Sequence, residues 1–138
     1  MKKSLLKNSN ALLAAILALF GISSCEQADL YGSPYSEYIK ITGLVQNESN
    51  QPIESIQVVS NYRDTVYTDA AGNFDIKKTG GNVPSSIKLF FNDTDGPANG
   101  SYQNDSADVH ITYSGGDGEW NAGIGRGSVT KTLKEKTE

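Results

Sequence analysis

One cysteine, one histidine, one tryptophan and a run of Asp and Asn side chains are the residues of this 138-residue chain whose chemistry has to be weighed first. Cys25 closes the stretch "ALLAAILALFGISSC", directly after an apolar run. A lone cysteine can form no disulfide within its own chain, and a free thiol gives an exported protein little. The head of the chain nevertheless reads as an export signal. Lys2, Lys3 and Lys7 precede the uninterrupted apolar core Ala11 to Phe20, and the small residues Gly21, Ser23 and Ser24 follow it. A membrane-spanning helix needs about 20 apolar residues, roughly twice this core. Two processing outcomes fit. "SSC" satisfies a small-x-small cleavage site, which would release a soluble chain with a leftover thiol. In the alternative, Cys25 itself is the modified residue.

His110 is the only histidine, and without a second His or Cys beside it a zinc set cannot be assembled. A Ser-His-Asp triad is equally hard to build, because no serine stands in a "GxSxG" context and His110 would have to serve any of them. Asp93 and Asp95, followed by Gly96 and Asn99, offer clustered oxygens to a hard cation. No EF-hand alignment survives, since Phe91 or Pro97 falls on a ligand position and no Glu occupies the twelfth. An Asp/Asn-rich turn is the plainer reading, with Asp93, Asp95 and Asn99 as weak metal candidates. "GGDGEWNAGIGRG", Gly115 to Gly127, lacks the Lys-Ser/Thr of a phosphate loop, and its glycines suit a flexible or bulged edge near the last strand. Trp120 within it is a candidate ligand contact, for instance a stacking ring for a sugar, or else a plug at the core's rim. No catalytic residue and no cofactor-binding residue is assigned.

Twelve Lys and Arg stand against 16 Asp and Glu, a net charge of −4, and the apolar head removes basic residues only. That balance excludes a nucleic-acid partner, which demands a basic patch. The elements that must carry these residues have a hydrophobic period of two. Ile39, Ile41 and Val45 share one face with Gly43 between them; Ile56 and Val58, Phe74 and Ile76, and Ile87, Leu89 and Phe91 follow the same rule. "ADVHITYS" continues it through Val109, Ile111 and Tyr113, with His110 opposite and toward solvent, and "GSVTKTLK" adds Val129 and Leu133. Seven short strands with polar turns and no helix after residue 24 predict an all-β antiparallel sandwich. The expected division is a signal over 1–24, Cys25 with a tether to 37, a sandwich over 38–134 and a polar tail over 135–138.

Residue patterns add resemblances to known families. "GISSC" resembles the lipobox of bacterial lipoproteins, which implies that Cys25 becomes a diacylglyceryl thioether with an acylated amine. The stretch from Ile41 to Ile76 resembles the carboxypeptidase regulatory-like domain, a seven-stranded transthyretin-like Greek-key sandwich, through Gly43, Pro52 with Ile53, and Thr68, Asp69, Gly72 and Phe74. "YGSP" at Tyr31 to Pro34 and "FFNDTDGPANGSY" at Phe90 to Tyr102 extend this to a resemblance to small Bacteroidetes lipoproteins encoded beside a radical SAM enzyme. That resemblance implies a lipoprotein of the cell envelope and a functional link to that enzyme, with no known activity, and Glu26 after the cysteine is compatible with sorting to the outer membrane. Asp64-Thr65-Val66 and Asp105-Ser106-Ala107 resemble the Asp-Ser/Thr-apolar signal for O-glycosylation of exported Bacteroidetes proteins, with Ser106 expected in a loop and Thr65 in a strand. The expected function is a non-catalytic binding or scaffold module anchored to the membrane. The alternatives are a protein substrate of the radical SAM enzyme and a glycan-binding module, so the expected partners are the membrane and a protein or glycan.

Overall fold

The computed structural model describes residues 32–137. Among them there is no helix, and eight strands form two four-stranded sheets. The strands are β1 (Tyr35–Asn47), β2 (Ile56–Ser60), β3 (Thr65–Tyr67), β4 (Asn73–Thr79), β5 (Ser86–Asp93), β6 (Asp105–His110), β7 (Thr112–Gly115) and β8 (Asn121–Leu133). Sheet A has the order β4-β1-β8-β7 and sheet B the order β3-β2-β5-β6. The predicted all-β sandwich is therefore the fold.

The alternating residues meet between the sheets. Ile39, Ile41 and Val45 of β1, Ile56 and Val58 of β2, Phe74 and Ile76 of β4, and Ile87, Leu89 and Phe91 of β5 are all buried. Phe74 and Phe91 pack edge to face, with ring centroids 5.9 Å apart and planes at 68°, in the arrangement the ring quadrupoles favour. Gly43 makes room for them. A Cβ there would stand 2.3 Å from Cζ of Phe74 and 2.7 Å from the Val129 carbonyl oxygen.

Side chains close the turns. Asp69 Oδ1 accepts from the amides of Ala71 and Asn73 at 2.9 and 2.8 Å, while Gly72 takes φ +75°, where an L side chain is strained. Thr68, buried, donates its hydroxyl to the Ile53 carbonyl at 2.7 Å and accepts from the Ile56 amide at 2.9 Å. The Thr-Asp-x-x-Gly-x-Phe pattern is thus one device: it turns the chain, ties it to β2 and drops Phe74 into the core.

In strand layout and boundaries the structure differs from the sequence expectation in five places. There are eight strands, because "ADVHITYS" breaks at Ile111: β6 pairs with β5 in sheet B, while β7 pairs with β8 in sheet A. From Asn121 the glycine-rich stretch is no edge but part of β8, which lies between β1 and β7. Its glycines accommodate the crossover, since a Cβ on Gly125 would lie 2.9 Å from Ile111 Cγ2 and one on Gly127 2.8 Å from Ile111 Cδ1. A bulge does exist at its start, where Gly123 takes φ +77° and the register against β1 shifts. The sandwich is not wholly antiparallel, because β1 and β8 run parallel from Tyr35↔Asn121 to Asn47↔Leu133.

The two remaining differences concern the boundaries. The fold begins at Tyr35 rather than 38, with Ser36 buried and its amide donating to the Gly81 carbonyl at 2.9 Å. The expected polar tail is pinned as well: Glu135 bridges Tyr102, and the Lys136 amide donates to the Ser101 carbonyl at 2.9 Å.

Candidate functional surfaces

His110 is exposed at the end of β6, on the face opposite Val109, as alternation requires. Its cross-strand partner is Ser86, and it lines an open depression with Thr42, Thr112, Arg126, Gly127 and Ser128. The depression is lined by hydroxyls and a guanidinium, whereas a general base of the triad type needs an orienting carboxylate.

The Asp/Asn loop resolves into two separate arrangements. Asp95 Oδ2 accepts from Asn99 Nδ2 at 3.0 Å. Asp93 instead latches the loop: its Oδ2 accepts from the Tyr102 amide at 2.7 Å, and its own amide donates to Asn104 Oδ1 at 3.1 Å. The other carboxylate oxygen, Oδ1, is buried without a hydrogen-bond partner. Among the described residues no three His, Cys, Asp or Glu side chains gather as a metal set. Tyr102, buried at 5 % exposure, shows what the latch achieves, which is to fold this loop's aromatic ring into the core.

Trp120 is 37 % exposed and stands in the turn before β8, where its carbonyl accepts the Tyr35 amide at 2.9 Å. Asp117 organises that turn. Its Oδ1 accepts from the amides of Glu119 and Asn121, and these bonds hold its carboxyl below the usual range.

Ser106, expected in a loop, lies in β6. The run "DSAD" is polar enough to resemble a loop, but pairing with β5 places it opposite Phe90. Thr65 is in β3 as expected, and the register Thr65↔Val59↔Phe90↔Ser106 puts both hydroxyl residues in one row across the outer face of sheet B, at its two edges. Beside Ser106, Asp105 pairs with Lys131, whose Nζ also donates to the Ser106 carbonyl at 3.0 Å. The hydrogen bond from Lys131, then that from the Ser106 amide, lowers the Asp105 pKa.

A carboxylate whose folded pKa is depressed stabilises the fold fully above its unfolded value near 3.8, and the contribution is lost as pH falls through the folded value. The Asp105 carboxylate is half-exposed, so the effect is small. Asp105→Asn is expected to flatten the fall in melting temperature between pH 5 and pH 2 slightly, relative to the unaltered chain (about that window, following the carboxylate reference range). An unchanged slope in a melting series would show that the pair contributes nothing.

Two surfaces were not singled out by sequence. On the outer face of sheet B, Asn92 Nδ2 donates to Gln57 Oε1 at 3.3 Å and Gln57 Nε2 donates to the Tyr67 hydroxyl at 3.1 Å, an amide-phenol row across three strands. Tyr67 and Phe90 are exposed beside it. The available signal was the doublets Val58-Val59 and Phe90-Phe91, in which an apolar residue interrupts the polar side of the alternation. The second surface is one end of the sandwich, where Tyr35, Tyr62 and Trp120, from three segments far apart in the chain, are each exposed. Cys25 lies outside the described residues.

No protein family matches the chain by sequence, and no curated protein does. Solved structures do resemble its fold. The 3-chlorocatechol 1,2-dioxygenase of Rhodococcus opacus 1CP superimposes with a TM-score of 0.53 at 10 % identity, over 78 % of this chain and 62 % of that one. A variant of the catechol 1,2-dioxygenase of Acinetobacter radioresistens gives 0.52 at 14 % identity, over 78 % and 60 %. The hydroxyquinol 1,2-dioxygenase of Pseudomonas putida DLL-E4 gives 0.50 at 8 % identity, over 78 % and 58 %. The chain spans about six-tenths of the length of these enzymes, and at such identities the likeness is one of fold: two packed sheets shared with the β-sandwich of larger proteins.

Proposed function

We propose that the protein is a non-catalytic envelope lipoprotein, a β-sandwich binding or scaffold module held at the outer membrane through a lipid on Cys25. The observation that carries this reading is the position of the cysteine. It follows the basic head, the apolar core and the small residues, and residues 26–34 separate it from β1. A thioether-linked diacylglyceryl group and an acylated amine would anchor the chain without a span, at about 0.8 kcal/mol per buried methylene. The polar groups of the sandwich favour recognition over chemistry, because His110 lines a depression among hydroxyls, Asp93 latches a loop and Asp117 orders a turn. Fractionation of host membranes tests the anchor. The protein should stay in the outer-membrane fraction through high salt and alkaline carbonate and leave it only in detergent; release by salt alone would contradict the reading.

A second reading, saccharide binding, is favoured by the outer face of sheet B. Lys88 and Asp108 are paired across one end of that face, and beyond them the amides of Gln57 and Asn92 offer both donors and acceptors while Tyr67 and Phe90 present exposed rings. A neutral oligosaccharide bound there at 100 times its dissociation constant would stabilise the fold by about 2.7 kcal/mol. Thermal shift across an oligosaccharide panel should therefore find a ligand whose effect disappears in Tyr67→Ala, and a panel without any shift would dismiss the reading.

A further inference from the structure

Five large apolar side chains are exposed among the described residues: Tyr35, Tyr62, Tyr67, Phe90 and Trp120. Tyr67 and Phe90 belong to the outer face of sheet B, and the other three share one end of the sandwich. Tyr35 begins β1 and its amide is bonded to the Trp120 carbonyl. Tyr62 sits in the turn between β2 and β3, with its ring under Lys78 Nζ at 4.9 Å, and Lys78 pairs across β4 and β1 with Ile39. The Ser36 and Gly80 amides, bonded to the Gly81 and Glu37 carbonyls, fix the β4–β5 connection at the same end. The turns of the opposite end carry Asn50, Asp69, Asp95 and Asn99, and the ring of Tyr102 in the β5–β6 connection there is folded inward.

The aromatic end is also the end at which the chain arrives from Cys25. Residues 26–34 span at most about 3.6 Å each, so a lipid on Cys25 keeps Tyr35 within roughly 35 Å of the acyl chains. A tether of that length gives the domain a high effective concentration at the surface, where even a weak contact is populated. Tyr and Trp are the side chains that favour the boundary between headgroups and hydrocarbon, with an apolar body and a polar tip. Lys77 and Lys78 are laid over the rings of Tyr38 and Tyr62, and long stems of this kind cover apolar surface while their ammonium groups reach water. Arg63 joins them, but Glu37, Asp64, Asp117 and Glu119 stand at the same end, so electrostatic attraction to anionic lipid does not drive the contact.

We propose that this end of the sandwich rests on the lipid surface, with Tyr35, Tyr62 and Trp120 in the headgroup layer, and that the opposite end and the outer sheet faces are thereby turned toward partners. The proposal rests on the lipidation of Cys25. Trp120, the only tryptophan, reports on it directly. The test uses the full protein purified from host membranes, with its intact mass recorded. It is reconstituted into phosphatidylethanolamine and phosphatidylglycerol vesicles whose acyl chains are brominated near the headgroup end. Trp120 emission is expected to shift to shorter wavelength and to be quenched relative to unbrominated vesicles, with no change as salt is raised from low to high. The double variant Tyr35→Ser, Tyr62→Ser, altered only at exposed rings, should lose most of the quenching and keep its melting temperature. Lipidated protein whose emission is identical in both vesicles would overturn the docking and leave the anchor standing. A mass showing Cys25 without lipid would overturn the anchor and the docking together.

Discussion

Phe91→Ala is expected to cost the domain about 3–5 kcal/mol, while Phe90→Ala, one residue away, changes its stability little. The doublet sits on β5, where successive side chains point to opposite faces of sheet B. Phe91 is fully buried, and its ring packs edge to face on Phe74, which in turn covers Gly43. Removing it opens a cavity at the point where both sheets and the Asp69 turn depend on one ring pair. A domain of this kind has roughly 5–15 kcal/mol in all, so the truncated chain is left near the edge of folding. Phe90 is 41 % exposed and faces outward beside Val59 and Ser106, so its loss removes surface contacts alone. Urea denaturation checks the contrast: the midpoint should drop sharply for Phe91→Ala and barely for Phe90→Ala, with the slope preserved. Equal midpoints would mean that the inward and outward assignment along β5 is wrong.

Cys25→Ala is expected to remove the protein from the outer-membrane fraction, an effect larger than any surface substitution could produce. With no thiol there is no acyl chain, and with it goes the sum of methylene contributions that holds the chain to the bilayer. The rings of Tyr35, Tyr62 and Trp120 alone supply an interfacial contact too weak to survive a carbonate wash. The sandwich itself should melt at the same temperature, because β1 starts at Tyr35 and the core lies among β1, β2, β4, β5, β6 and β8. Quantitative fractionation of the variant beside the unaltered protein measures the first effect and thermal unfolding the second. A variant retained in the outer membrane would show that something other than Cys25 holds the protein there.

The core was legible because each buried pair on a strand is a local statement: Ile39 and Ile41, Ile87 and Leu89, or Phe74 after Gly72 declare their face within a few residues. Pairing is not local. Nothing in Ile39 or Ile124 says that β1 and β8 run parallel, and Val109, Ile111 and Tyr113 keep one phase through the point where the chain leaves sheet B for sheet A. Only the glycines of β8 hinted at that crossover, and their reason is visible once Ile111 is seen against Gly125 and Gly127.

The surfaces divide in the same way. His110 declared its outward face by alternation alone, and the Asp69 turn declared itself by spacing. Ser106 was misplaced because a polar edge strand and a loop have the same composition. The aromatic end was invisible because Tyr35, Tyr62 and Trp120 come to one end only through the pairing of β1 with β8 and β4.

The account depends most on Cys25, and the intact mass of the protein purified from its host's membranes, with fragmentation to place any addition, measures it directly. The predicted mass is that of a chain beginning at Cys25 with a diacylglyceryl group and an N-linked acyl chain on that residue. A chain carrying a free thiol at Cys25, or beginning at another residue, would contradict the account.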